Sequence, residues 1–193
     1  LHVDSLSPLC GRIAIAPMKD EALEKLVKDD WKVSTAVVVE GIMRLITTNP
    51  KKDSTDLLEG KRKPRKSLIG GRKDNSPLRP AYLDSQDTVL YTLVLNFLKA
   101  CDQTFWRRAA KESFIVKTVG IQALFDVLRM HLAGPAYAEQ VISEVRFLRA
   151  LEPAGALDFS QDAYRSASGS GRTLIRKTIE AAIGAANGAE KNP

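Results

Sequence analysis

Between residues 85 and 151 apolar side chains recur every three or four positions with few breaks, which commits this part of the chain to packed helices. Val89, Leu90, Leu93, Val94, Phe97, Leu98 and Cys101 fall on one broad face of a segment that Ser85 can cap and that runs to about Gln103. The pattern resumes after Ser113, a second capping candidate, at Ile115, Val116, Val119, Ala123, Leu124, Val127 and Leu128, and Gly134-Pro135 interrupts it. Pro135 suits the first position of a further helix that carries Val141, Ile142, Val145, Leu148 and Leu151 towards Pro153. Three helices in succession predict a mainly α fold, a helical bundle.

The flanks extend this pattern. Arg12-Ile13-Ala14-Ile15 alternates before Pro17, so the sequence predicts at most a short strand near the N-terminus. Leu23, Leu26 and Val27 make a short amphipathic helix of Met18–Lys28, with Asp20 as its cap. Ser34 or Thr35 opens another, apolar at Val38, Val39, Ile42, Met43, Leu45 and Ile46, ending near Asn49-Pro50. A Gly/Ser-rich turn at Ser166–Gly171 feeds a last helix with Leu174, Ile175, Ile179 and Ile183 inward. The expected organisation is an N-terminal helical segment over 1–50, a basic flexible loop over 51–80, a bundle core over 81–184 and a tail over 185–193. Residues 1–184 make one domain.

The loop is where the charge lies. From Lys51 to Arg79 stand ten basic residues against four acidic ones, and the remaining residues hold 19 of each sign, so the net +6 of the chain belongs to this stretch. It has no apolar period and is punctuated by Gly60, Pro64, Gly70-Gly71, Pro77 and Pro80, which predicts a long mobile strap that buries nothing. Dense lysine and arginine bind nucleic acid by neutralising phosphates and releasing counterions, and this needs charge rather than a fixed fold. Lys61, Arg62, Lys63, Arg65, Lys66, Arg72 and Lys73 are the expected nucleic-acid contacts. No aromatic residue is interleaved with them, so the expected contact is to the backbone of a duplex, without base reading. A solvated loop that only aids solubility, or a contact to an acidic protein, fits the same composition.

A second anion site is expected at Gly169, Ser170, Gly171 and Arg172. Glycines that tolerate positive φ let successive amides converge, the following helix start adds partial positive charge, and Arg172 stands beside them. A plain interhelical turn fits the same residues. Trp106, in Phe105-Trp106-Arg107-Arg108, is read as sealing a helix junction, and Gly120 inside a helical run asks for a close helix contact.

Catalytic chemistry finds little support. Only His2 and His131 are present, no nucleophile–base pair assembles around them, and no phosphate-loop or metal-ligand spacing occurs. No catalytic residue, metal or cofactor is expected. Cys10 and Cys101 lie far apart and read as plain thiols of a reducing compartment, and no apolar run approaches the roughly 20 residues that span a bilayer. The expectation is a cytoplasmic protein with no membrane association.

Lys111-Glu112-Ser113-Phe114-Ile115-Val116-Lys117-Thr118-Val119-Gly120-Ile121-Gln122-Ala123-Leu124 resembles the Ser…Lys-Thr-x-Gly-x-x-Ala-Leu stretch of DGQHR-domain proteins. That group includes the DndB-type proteins of DNA phosphorothioation systems. Ser7-Pro8-Leu9 near the start, the helix ending in a Trp segment and the Gly-Ser-Gly-Arg turn stand in the same order. The resemblance covers the C-terminal part of that domain only. The Asp-Gly-Gln-His-Arg motif is missing, and the chain contains no Asp-Gly pair, so any activity of that motif is not carried over. The resemblance implies a DNA-binding or regulatory role in bacterial DNA modification or phage defence. The alternatives are a protein–protein interaction module of the same system, or the C-terminal fragment of an enzyme whose catalytic part lies elsewhere.

Overall fold

Leu93, Val94, Phe97, Leu98 and Cys101, predicted to share one helix face, are all buried in the helix on which the bundle is built. The computed structural model describes residues 1–14, 31–59, 65–70, 74–110, 112–165 and 169–189. The fold is mainly α. A parallel pair of two-residue strands, β1 (Ile13–Ala14) and β2 (Val33–Ser34), sits before the helices with Ile13 opposite Val33. The amphipathic segment expected at Met18–Lys28 lies outside the described residues.

Helix α1 (Thr35–Ile46) starts at Ser34, whose hydroxyl accepts the Val37 N–H at 3.4 Å. It stops at Ile46, short of the expected end, because Asn49-Pro50 opens a new helix. Asn49 Oδ1 accepts the Lys52 N–H at 3.1 Å, and Pro50 takes the first position of α2 (Pro50–Glu59), where a missing N–H costs nothing. The stretch expected as aperiodic loop therefore contains α2, a 3-10 turn at Arg65–Gly70 and the start of α3 (Arg79–Leu83). The apolar period is absent because these elements are too short to show one, and propensity with capping suffices for a short helix.

The central helix α4 runs over Asp87–Thr104. Ser85 does not cap it. It sits one residue past the α3 C-cap with φ +56°, its N–H bonded to Tyr82 O, while the Gln86 N–H bonds to Ala81 O. That pair of bonds is a Schellman motif, so Ser85 closes one helix rather than opening the next. Ser113 does cap, but the cap serves a 3-10 turn at Phe114–Val116 that precedes α5 (Thr118–Val127).

Gly134-Pro135 does not break the chain's helical course. A π-turn at Leu128–Leu132 leads directly into α6 (Ala133–Ala138), with Pro135 its third residue. The single helix expected from Pro135 to Leu151 is two. Gln140 at φ +57° ends α6 in another Schellman motif, and Ser143 caps α7 (Glu144–Leu151), leaving Val141 and Val145 exposed rather than inward. Helix α8 (Ser170–Ala189) closes the bundle with Ile175 and Ile179 fully buried.

Aromatic pairs tie the layers together. Phe97 of α4 meets Phe147 of α7 edge-on at 5.8 Å, and Trp106 meets Trp31 at 5.3 Å. Trp106 is thus in the core, as its place at a helix junction suggested. Gly120 of α5 has its Cα against the Phe114–Ile115 backbone, the close approach its sequence position asked for. The described part of the Lys111–Leu124 stretch is accounted for by this packing, with Ile115, Val116, Ile121, Ala123 and Leu124 buried. No helix among the described residues is long and apolar enough to cross a membrane.

Candidate nucleic-acid interface

The strap leaves the body after α1 and returns at α3, and both ends are fastened. At the return, the Leu78 N–H donates to Leu45 O at 2.9 Å. Arg79 is 8% exposed and pairs through Nη1 and Nη2 with the two carboxylate oxygens of Asp53 of α2, and Nη1 also donates to Ile46 O at 3.3 Å. This arginine, counted in the sequence with the strap's cations, is a structural clamp and offers nothing to a partner. Its guanidinium is held charged, the hydrogen bond to Asp53 outweighing the effect of burial.

Asp74 fixes the next position inward. Its carboxylate accepts the Thr48 N–H at 2.8 Å, the Thr48 hydroxyl at 3.1 Å and the Ser76 N–H at 2.9 Å. Burial pushes its pKa up, but these donors to the charged form win and lower it to about 2.

Of the seven expected nucleic-acid contacts, Lys61, Arg62, Lys63, Arg72 and Lys73 lie outside the described residues. Arg65 and Lys66 stand on the 3-10 turn. Arg65 Nη1 lies 2.5 Å and Nη2 3.2 Å from the two carboxylate oxygens of Asp87, and its guanidinium lies over the Tyr82 ring at 4.6 Å. Lys66 Nζ is 3.4 Å from Asp84. The structure thus adds two acids to the neighbourhood of the strap: residues 51–87 hold ten basic and six acidic groups, +4 in all. Lys51 and Lys52 stand exposed on the first turn of α2.

Gly169, Ser170, Gly171 and Arg172 do meet at the start of α8, with Gly169 at φ +83° and its carbonyl accepting the Thr173 N–H at 3.1 Å. Arg172, however, turns away to the body. Its Nε and Nη2 each lie 2.6 Å from a carboxylate oxygen of Asp126 on α5, and Arg44 stands 3.9 Å from the same carboxylate. The cation expected to receive an anion is already paired with one supplied by the protein.

A cleft of about 1020 Å³ lies between the π-turn, α7 and α8, and sequence reasoning named His131 and Ile183 of its lining but did not bring them together. Its floor is Leu132, Phe147 and Ile183, and its rim carries His131, Arg146, Arg149, Glu152 and Glu180. Its charges are largely paired within the protein. Glu180 Oε1 is bound by His131 Nε2 at 2.8 Å and by Arg176 Nη1 at 2.6 Å, and Arg146 pairs with Glu139 at 2.5 Å. The i,i+4 spacing of Arg176 and Glu180 was the one sequence signal for this network. Among the described residues no three His, Cys, Asp or Glu side chains are placed to hold a metal ion. Cys101 is wholly buried, and burial raises its thiol pKa well above the ordinary value, so it is not a thiolate nucleophile.

Compared with known protein families, curated proteins and solved structures, the chain matches none of them.

Proposed function

We propose that the chain is a DNA-binding or regulatory domain of a bacterial DNA-modification or phage-defence system, and that it meets the duplex backbone through its basic strap. The observation that carries the reading is the concentration of the whole net charge of +6 between Lys51 and Arg79. The fastening at Arg79 and Asp74 supports it, because a charged segment anchored at more than one point loses less freedom on binding than a free tail. The resemblance of residues 111–124 to DGQHR-domain proteins supplies the DNA-modification context.

The test is a fluorescence-anisotropy titration on duplex DNA at two salt concentrations. Lys61, Arg62, Lys63, Arg72 and Lys73 are replaced together by neutral residues, sparing the paired Arg65, Lys66 and Arg79. The variant binds far more weakly, and each lost phosphate contact lowers the log–log salt slope by about 0.9. Its thermal stability is expected to stay close to that of the parent. A parent that binds no better than the neutral variant at low salt ends the nucleic-acid reading.

A second reading, a protein-docking module, is favoured by an apolar groove of about 520 Å³ between α1 and α4, lined by Val38, Val39, Ile42, Leu90, Tyr91 and Val94. Such an interface is insensitive to salt, and phosphate contacts weaken steeply with it.

A further inference from the structure

The resting place of the strap is set by two carboxylates that stand where phosphates would. Asp84 follows α3 and Asp87 opens α4. The Arg65–Asp87 contact is a two-pronged fork, the geometry an arginine uses to grip a phosphate. Lys66–Asp84 repeats the pairing as a point charge. Both acids are open to solvent, with side-chain exposures of 64% for Asp87 and 50% for Asp84, so an incoming polyanion can reach the pairs. Exposed pairs of this kind are weak and exchange readily. The Tyr82 ring beneath Arg65 does not depend on the acids and holds the guanidinium at the surface either way.

We propose that Asp84 and Asp87 form an autoinhibitory latch, occupying Arg65 and Lys66 in the free protein until a nucleic-acid backbone displaces them. The inference rests on the nucleic-acid reading above. In the latched state two of the strap's cations are unavailable, and the two acids repel an approaching backbone. A single phosphate gains little by displacing them. A run of phosphates can exchange with both acids at once, so the latch favours extended duplex over isolated anions.

The test is a double-mutant cycle on the full chain, read by anisotropy with a fluorescein-labelled duplex at low salt. Asp87→Asn raises affinity by about three- to tenfold and leaves the salt slope near that of the parent, because the same phosphate contacts are made once the acid is displaced. Asp56→Asn, which removes an exposed acid from the strap itself, changes affinity by about twofold at most. Arg65→Ala has little effect in the parent and abolishes the gain in the Asp87→Asn background. The parallel cycle of Asp84→Asn with Lys66→Ala gives the same non-additivity and stands in if the first pair perturbs the start of α4.

If the parent binds duplex and neither cycle departs from additivity, or Asp56→Asn matches Asp87→Asn, the latch is overturned and the nucleic-acid reading stands. If the parent does not bind at low salt, both fall.

Discussion

The Arg172 guanidinium grips the Asp126 carboxylate across the packed faces of α8 and α5, with two hydrogen bonds of 2.6 Å between side chains that are 20% and 15% exposed. Forty-six residues separate them, and the pair fastens the last helix to the body. The hydrogen bond to Asp126 holds the arginine's pKa above its ordinary value in spite of burial. Arg172→Ala is therefore expected to destabilise the fold by about 2 kcal/mol, because it leaves a half-buried carboxylate with only the more distant Arg44. Arg172→Lys recovers only part of this, since an ammonium cannot span both oxygens. Urea denaturation of the three proteins measures it, and an Ala variant as stable as the parent would show that the pair contributes nothing.

Ser85 and Gln140 each hold a left-handed conformation after a helix end, at φ +56° and φ +57°. L-residues pay for that geometry and glycine does not. Ser85→Gly is expected to stabilise by about 0.5–1 kcal/mol, the relief of backbone strain exceeding the added freedom of the unfolded chain. Gln140→Gly gains less, because the Gln140 amide donates to Tyr137 O at 2.7 Å and that bond is lost. In a domain of this size the Ser85 variant raises Tm by roughly 2–4 °C per kcal/mol, within reach of calorimetry. A fall in Tm for Ser85→Gly contradicts the Schellman assignment.

How much of this was legible follows from the range of the physics involved. The α4 face from Leu93 to Cys101 was readable because a 3.6-residue period reports burial directly. Ser34 was readable as a cap because capping is local. Ser85 has the chemistry of an N-cap too, and only the preceding helix, too short to leave an apolar period, reveals that it closes α3. Pro50 likewise marks both an end and a beginning. The strap's charge was plain in the sequence, yet the pairing of Arg65 with Asp87 and of Arg79 with Asp53 spans 22 and 26 residues, and composition carries no sign of such pairs. The same holds for Arg172 with Asp126, which diverts a cation from the anion site that its glycine neighbours suggested.

Gly120 and Gly41 separate backbone from side-chain crowding. A Cβ on Gly120 meets the Phe114 carbonyl oxygen and lies 2.5 Å from Ile115 Cα, all of it main chain. On Gly41 it lies 2.5 Å from the Phe125 ring, a side chain buried to 3% exposure. Gly120→Ala is expected to cost about 3 kcal/mol or more, as α5 must move off the Phe114–Val116 turn. Gly41→Ala costs less, about 1–3 kcal/mol, because a ring can tilt where a backbone cannot. Helix propensity alone predicts the opposite sign for both, since alanine is the better helix former by about 1 kcal/mol. Chemical denaturation of the two variants decides between close packing and propensity.

Asp74 makes part of the fold's stability depend on pH. Its carboxylate ties the strap to the end of α1 through Thr48 and Ser76, and its pKa in the folded chain is about 2 against an ordinary 3.8. A depressed carboxylate pKa means that the unfolded chain takes up the proton first. The stabilisation is complete above pH 4 and is lost as pH falls from about 4 to about 2. The group is largely solvated, so the full shift overstates its worth and about 1 kcal/mol is the expected contribution. Asp74→Asn removes that amount at pH 7, and its difference from the parent shrinks through the same window until the two proteins are equally stable near pH 2. Thermal melts of both proteins across pH 2 to 7 test this. A gap that persists unchanged at the acid end assigns the loss to the altered hydrogen bonds of the amide rather than to the charge.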